Sequence, residues 1–189
     1  ERLGLQPRRY LLHVGSFVPR KNIPFLVECF RSAEARGLRL VLAGAEEWGK
    51  KASEHPRNIT VVRMADDETL VSLYRGARAV LVPSSEEGLG LTVLEALACG
   101  IPVVTSDGGA LPETVEGAGL VLPVLDGEAW TRAIRDIAGN GLWTELMGRA
   151  ERHSRPTWEQ TAERAMDFYR ERLAAAERDT PGRAGSSPR

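Results

Sequence analysis

The sequence predicts an α/β fold, a parallel sheet with helices on both faces, because short apolar strands alternate with stretches of helical periodicity from residue 10 onward. A chain of 189 residues is long enough for one domain with a sizeable core. Tyr10 to Val14 is the first strand. Leu26, Cys29, Phe30 and Ala33 then follow a 3.6-residue period, with Asn22 placed to cap the helix and Pro24 in its first turn. Leu38 to Ala43 and Ile59 to Val62 read as the second and third strands. Leu70, Leu73 and Tyr74 mark a helix before a fourth strand, Ala79 to Val82. A glycine-containing loop, Gly88 to Gly90, runs into the helix that carries Glu95, and Pro102 to Thr105 is the fifth strand. Trp130, Ala133, Ile134 and Ile137 form the apolar stripe of a helix beyond it.

Near the end, Thr157 and Gln160 have capping-box spacing, and Trp158, Ala162, Ala165, Tyr169 and Leu173 make a long apolar stripe suited to docking. Residues 1–178 are expected to form one domain including that helix. Residues 179–189, DTPGRAGSSPR, have almost nothing to bury and are expected to be a disordered tail.

The 25 basic and 26 acidic residues nearly cancel, so no broad field attracts nucleic acid, and any anion binding must be local. No apolar run approaches the roughly 18 residues that cross a bilayer. Cys29 and Cys99 fall on the apolar stripes of helices and are expected to be buried thiols. These features point to a cytoplasmic protein or one peripheral to the cytoplasmic membrane face. His13 reads as a packed core residue. With two distant cysteines and three scattered histidines there is no metal-ligand spacing, and neither metal nor cofactor is expected.

The chemistry concentrates in PSSEEGLGLTVLEALACGIPVVTS, Pro83 to Ser106, where Glu87 and Glu95 stand eight positions apart around the loop that opens a helix. Gly88 and Gly90 clear side chains from a helix N-terminus, whose free N–H groups suit an anion. Carboxylates on either side can accept bonds from sugar hydroxyls, so the pattern fits a phosphate with hydroxyls at both ends. Two local readings stay open for Glu95, because Thr92 and Glu95 also satisfy the capping box. Glu86 and Glu87 can equally be read as solvated loop carboxylates, and Arg20 and Lys21 as solvated charges ahead of a helix.

Three ordered motifs carry a family resemblance. The Glu-x7-Glu segment, HVGSFVPRKN (His13 to Asn22) and SLYRGARAVLVPS (Ser72 to Ser85) resemble the retaining, nucleotide-sugar-dependent glycosyltransferases of family four. That family has the GT-B fold of two facing Rossmann-like domains, and the motif order from about Tyr10 to about Tyr169 resembles its C-terminal, donor-binding half. The resemblance implies that Gly15, Arg20 and Lys21 hold the diphosphate of a UDP- or GDP-linked sugar. It also implies that Glu87 faces the donor sugar, that the backbone from Gly88 through Leu89 and Gly90 to Leu91 cradles phosphate, and that Glu95 holds the ribose hydroxyls. Met64 would frame the nucleobase through its backbone. Ser16 departs from the family, which often has arginine there. Glu113, at a Pro-Glu helix start, is expected to support the site.

Glu87 and Lys21 are the catalytic candidates on this resemblance, which implies hexose transfer to an acceptor hydroxyl with retained configuration and without a metal. The acceptor-binding N-terminal half is expected to be missing from this chain, leaving it inactive alone. The alternative is a non-catalytic nucleotide-sugar sensor. A dinucleotide-binding oxidoreductase would need Gly-x-Gly-x-x-Gly after the first strand, and only Gly15 is present.

Overall fold

Six parallel strands build the sheet: β1 (Tyr10–Val14), β2 (Arg39–Gly44), β3 (Ile59–Arg63), β4 (Ala79–Val82), β5 (Val103–Ser106) and β6 (Leu120–Leu122). Their spatial order is β3-β2-β1-β4-β5-β6. This is the doubly wound order, in which the chain winds one way from β1 and the other way from β4. Leu12 is the centre of the register, paired with Val41 of β2 on one side and Val80 of β4 on the other. The computed structural model describes residues 3–35, 37–44, 58–63, 65–153 and 157–179.

Period-two alternation divides the core into two layers. Leu11, Leu40, Leu42 and Leu81 point to one face, against Ile23, Leu26 and Phe30 of α1 (Ile23–Ser32) and Trp130 and Ile134 of α5 (Gly127–Ala138). Tyr10, Leu12, Val41 and Val80 point to the other, against Leu73 and Tyr74 of α2 (Asp67–Gly76), Val93 and Leu97 of α3 (Leu91–Ala98) and Leu111 of α4 (Leu111–Val115). Each fully buried large side chain contributes roughly 1.5–3 kcal/mol. Strands covered on both faces are apolar at most positions, so they read as near-continuous runs.

Five strands match the predicted runs to within one residue, while β6 was not predicted. It is a half-exposed edge strand of only three residues, so it needs little burial and leaves little pattern. Helix α6 (Gly141–Arg152) is also additional; its buried contacts, Leu146 and Ala150, are too few to make a stripe. Arg78 anchors the α5–α6 turn, donating from Nε to Ile137 O at 2.6 Å and from a terminal nitrogen to Asn140 Oδ1 at 3.1 Å, beneath the Trp143 ring. Cys29 is buried as expected, whereas Cys99 lies half-buried at the C-terminal end of α3; neither forms a disulfide.

The chain divides into two compact units, Glu1–His153 and Ser154–Arg189. The second is described through α7 (Trp158–Asp179), which opens on the expected capping box. Gln160 Oε1 accepts from Thr157 N at 2.9 Å, and Thr157 Oγ1 accepts from Gln160 N at 3.3 Å. Helix α7 takes up the first residue of the expected tail; the rest of that tail lies outside the described residues. Among the described residues no helix is long and apolar enough to cross a membrane.

Candidate functional site

β1 and β4 are neighbours at the switch point, so the loops that follow them open a crevice beyond the C-terminal edge of the sheet. Three bonds stitch these loops together. Asn22 Nδ2 donates to Pro83 O at 2.9 Å, Ser85 N to Arg20 O at 2.8 Å, and an Arg20 guanidinium nitrogen to Glu86 O at 3.0 Å. Asn22 does stand at the N-cap position of α1, but in a left-handed conformation, and its side chain spans to the β4 loop instead of capping the helix. The sheet below allows a close approach: Gly15 N donates to Ala43 O at 2.9 Å, and Gly15 O lies where a side chain at Gly44 would begin.

The stitched loops bring Arg20, Lys21 and Glu87 into one cluster. Lys21 Nζ pairs with Glu87 Oε1, Ser84 Oγ donates to the same oxygen at 2.9 Å, and Arg20 approaches Glu87 Oε2 at 3.2 Å. The Lys21 side chain is only 8% exposed and that of Glu87 13%, against 48% for Arg20, so the inner pair is screened from water and the outer cation is not. Burial works to raise the Glu87 carboxyl, but the hydrogen bonds from Lys21 and Ser84 and the two nearby cations hold it below its ordinary range. Two cations share one carboxylate, which leaves the cluster with a surplus positive charge at the crevice. Neither local reading as solvated charges fits Lys21 or Glu87.

Beside the cluster, Gly90 turns the chain into α3 with φ of +73° and with Leu111 Cδ2 3.0 Å from where its Cβ would stand, so only glycine enters this turn without strain. No acidic residue occupies the first turn of α3, which leaves its N–H groups without a competing carboxylate. Thr114 Oγ1 pins the loop by donating to Leu89 O at 2.6 Å, and Ala110 N donates to Glu87 O at 2.9 Å. Support thus comes from Thr114 of α4, while Glu113 is exposed.

The capping-box reading of Glu95 does not survive. The helix begins at Leu91, so Thr92 lies inside it and turns its hydroxyl to Val14 O at 3.5 Å. Glu95 Oε2 instead accepts a hydrogen bond of 2.6 Å from the hydroxyl of Tyr74 on α2. Burial and the bond to Glu95 both push the Tyr74 phenol upward, which keeps it a donor.

Gly15 follows β1, and Gly88, Leu89, Gly90 and Leu91 lie between β4 and the start of α3, with Leu89 and Leu91 exposed. Met64 lies outside the described residues. Sequence reasoning missed Ser84, Thr114 and the role of Tyr74, which it placed only on an apolar stripe. A signal existed for Tyr74, since a buried tyrosine hydroxyl usually requires a partner.

A family model described as glycosyl transferases group 1 matches residues 8–140. O-antigen chain mannosyltransferase B of Escherichia coli is 32% identical over 176 residues, covering 85% of this chain and 45% of that protein. The D-inositol 3-phosphate glycosyltransferase of Kineococcus radiotolerans is 34% identical over 211 residues, covering 95% and 47%. Among solved structures, sucrose-phosphate synthase from Thermosynechococcus elongatus superposes with a TM-score of 0.67 at 30% identity, covering 92% of this chain and 48% of that one. Anabaena HepE, solved in complex with UDP and glucose, gives a TM-score of 0.67 at 20% identity, covering 79% and 44%, and bears on the fold alone. The chain spans about half the length of the curated relatives it matches. With its Rossmann-like sheet and a family match over most of its length, the chain belongs to the group 1 glycosyl transferases.

Proposed function

We propose that this chain is the donor-binding domain of a retaining glycosyltransferase and holds a UDP- or GDP-linked hexose for transfer to an acceptor hydroxyl. The observation that carries this reading is that Arg20 and Lys21, after β1, close onto Glu87 in the loop that leads from β4 into α3. Lys21 and the α3 N-terminus face the diphosphate and stabilise it as it leaves, which lowers the barrier by meeting charge where it develops. Arg20, half-exposed, supplies the outer cation that Ser16 does not. Glu87 serves both as the counter-ion of Lys21 and as the carboxylate toward the sugar, while Glu95, oriented by Tyr74, accepts from the ribose hydroxyls. Transfer itself belongs to a longer protein in which a second domain presents the acceptor. We assign that protein to the cytoplasm, a reading supported by two cysteines that form no disulfide.

Calorimetry tests the reading directly. The 189-residue chain should bind UDP or GDP, bind it equally in EDTA and in magnesium, and transfer no labelled hexose alone. A strict metal requirement would overturn the phosphate chemistry, and failure to bind either nucleotide would overturn the site.

Tyr74→Phe isolates the ribose end, because it removes the donor to Glu95 while keeping the ring in the core. A hydrogen bond to a charged group contributes roughly 1.5–3 kcal/mol, of which part should be lost from nucleotide affinity. Both Tyr74→Phe and Glu95→Gln should weaken UDP or GDP by about three- to tenfold and leave inorganic pyrophosphate unaffected. Equal weakening of pyrophosphate would place Glu95 at the phosphates instead.

A further inference from the structure

The one buried polar side-chain atom without a hydrogen-bond partner among the described residues is Nε2 of His13. His13 is fully buried near the end of β1, one strand position before the turn into the phosphate loop. Its other ring nitrogen, Nδ1, lies 2.9 Å from Leu81 O on β4. A carbonyl oxygen only accepts, so Nδ1 carries the proton and the neutral ring presents Nε2 as a bare lone pair. A buried acceptor left without a donor is costly, and such groups in native proteins usually have a partner or a task.

The surroundings of Nε2 point to a donor. A Cβ built on Gly15 would lie 3.7 Å from Nε2, 3.5 Å from Lys21 Nζ and 3.3 Å from Lys21 Cε. The missing side chain of Gly15 therefore leaves a small hollow that Nε2 of His13 and the ammonium of Lys21 both border. Gly15 has φ of +150°, a conformation that side-chain-bearing residues rarely adopt, so the hollow is built into the backbone. An ammonium has three protons; in the structure one goes to Glu87.

We propose that His13 is a positioning residue for Lys21, whose ammonium it receives across the hollow at Gly15 when a diphosphate binds. The three protons of Lys21 are then divided among Glu87, His13 and a phosphate oxygen, and the ammonium is held at one point above the loop. The inference rests on the diphosphate reading of the site. The imidazole keeps its lone pair at ordinary pH: burial above all, opposed by the Leu81 bond and aided by the charge of Lys21, lowers it to about 4.

The test uses His13→Asn, whose amide can keep the bond to Leu81 but does not reach the hollow, and His13→Gln, whose amide oxygen extends as far as Nε2. UDP and GDP are titrated, and the tighter of the two is followed. His13→Asn should weaken it by about three- to tenfold, with the corresponding nucleoside unchanged and His13→Gln within about twofold of the wild type. In a Lys21→Met background, His13→Asn should cost nothing further, because the acceptor has lost its donor. Equal loss of nucleotide and nucleoside, or a loss that persists without Lys21, would show a purely structural histidine and overturn the proposal. Should the wild type bind neither nucleotide, the site reading itself fails. The same cycle with inorganic pyrophosphate then decides the inference, which is overturned if pyrophosphate affinity ignores His13→Asn or if wild-type binding is absent.

Discussion

Lys21→Ala should weaken binding of the plain nucleoside diphosphate by about ten- to a hundredfold, since a charge-assisted hydrogen bond contributes roughly 1.5–3 kcal/mol. The effect should be large because Lys21 is screened from water, so the solvent does little to replace its charge. The substitution also deprives Glu87 of its closest counter-ion, leaving Ser84 and the half-exposed Arg20 to hold a buried carboxylate. A stability change with a defined pH dependence follows. The folded pKa of Glu87 is depressed, so its pairing stabilises the fold above the ordinary carboxylate range and loses that contribution as pH falls through the depressed value. The gap in urea midpoint between wild type and Lys21→Ala should therefore be full at about pH 7 and shrink as pH falls below the ordinary carboxylate range. Unchanged nucleotide affinity in the variant would remove Lys21 from the site, and a pH-independent gap would remove Glu87 as its partner.

Gly44→Ala should be the most damaging single-methyl change in the sheet. Its Cβ would fall 1.8 Å from Gly15 O and 2.8 Å from Gly15 C, both backbone atoms that no rotamer change can move aside. Relief requires β1 and β2 to separate where Val14 pairs with Ala43, or the loop after β1 to lift. Overpacking of this severity should cost about 3 kcal/mol or more, near the upper end of such substitutions. For a chain of this size that corresponds to a fall of roughly 6–12 °C in Tm. Nucleotide affinity should fall as well, because the atoms displaced lead into Lys21. Gly88→Ala is the matched control for stability, with nothing within 4 Å of the added carbon, and should shift Tm by about 2 °C or less. Thermal melts that put the two variants together would show that the loop yields easily, and the close approach would carry no energetic weight.

Much of the fold was legible because it rests on burial, which leaves a mark on every residue it touches. β1, β2, β4 and the stripe of α5 read correctly because burial makes most of their positions apolar, in a run for the strands and at helical spacing for α5. β6 and α6 were not legible, since an edge strand and a short covering helix bury too little for a period to emerge. The site divided along similar lines. Gly90 is required by its left-handed backbone and is visible locally, whereas side-chain partnerships between distant segments leave no local trace.

By itself, the sequence determined that strands and helices alternate, that Gly15, Arg20 and Lys21 follow the first strand, and that two glutamates flank a glycine-rich helix start. Only the tertiary structure decided what those charges do. It closed Lys21 onto Glu87 across 66 residues, turned Glu95 from a cap to the Tyr74 hydroxyl, and left Nε2 of His13 and the ammonium of Lys21 bordering the same space at Gly15. The physical reason is that local sequence governs backbone conformation and the periodicity of burial. The partner of a buried charge is set by which strands become neighbours, and here the pairing of β1 with β4 brings together two loops that are far apart along the chain.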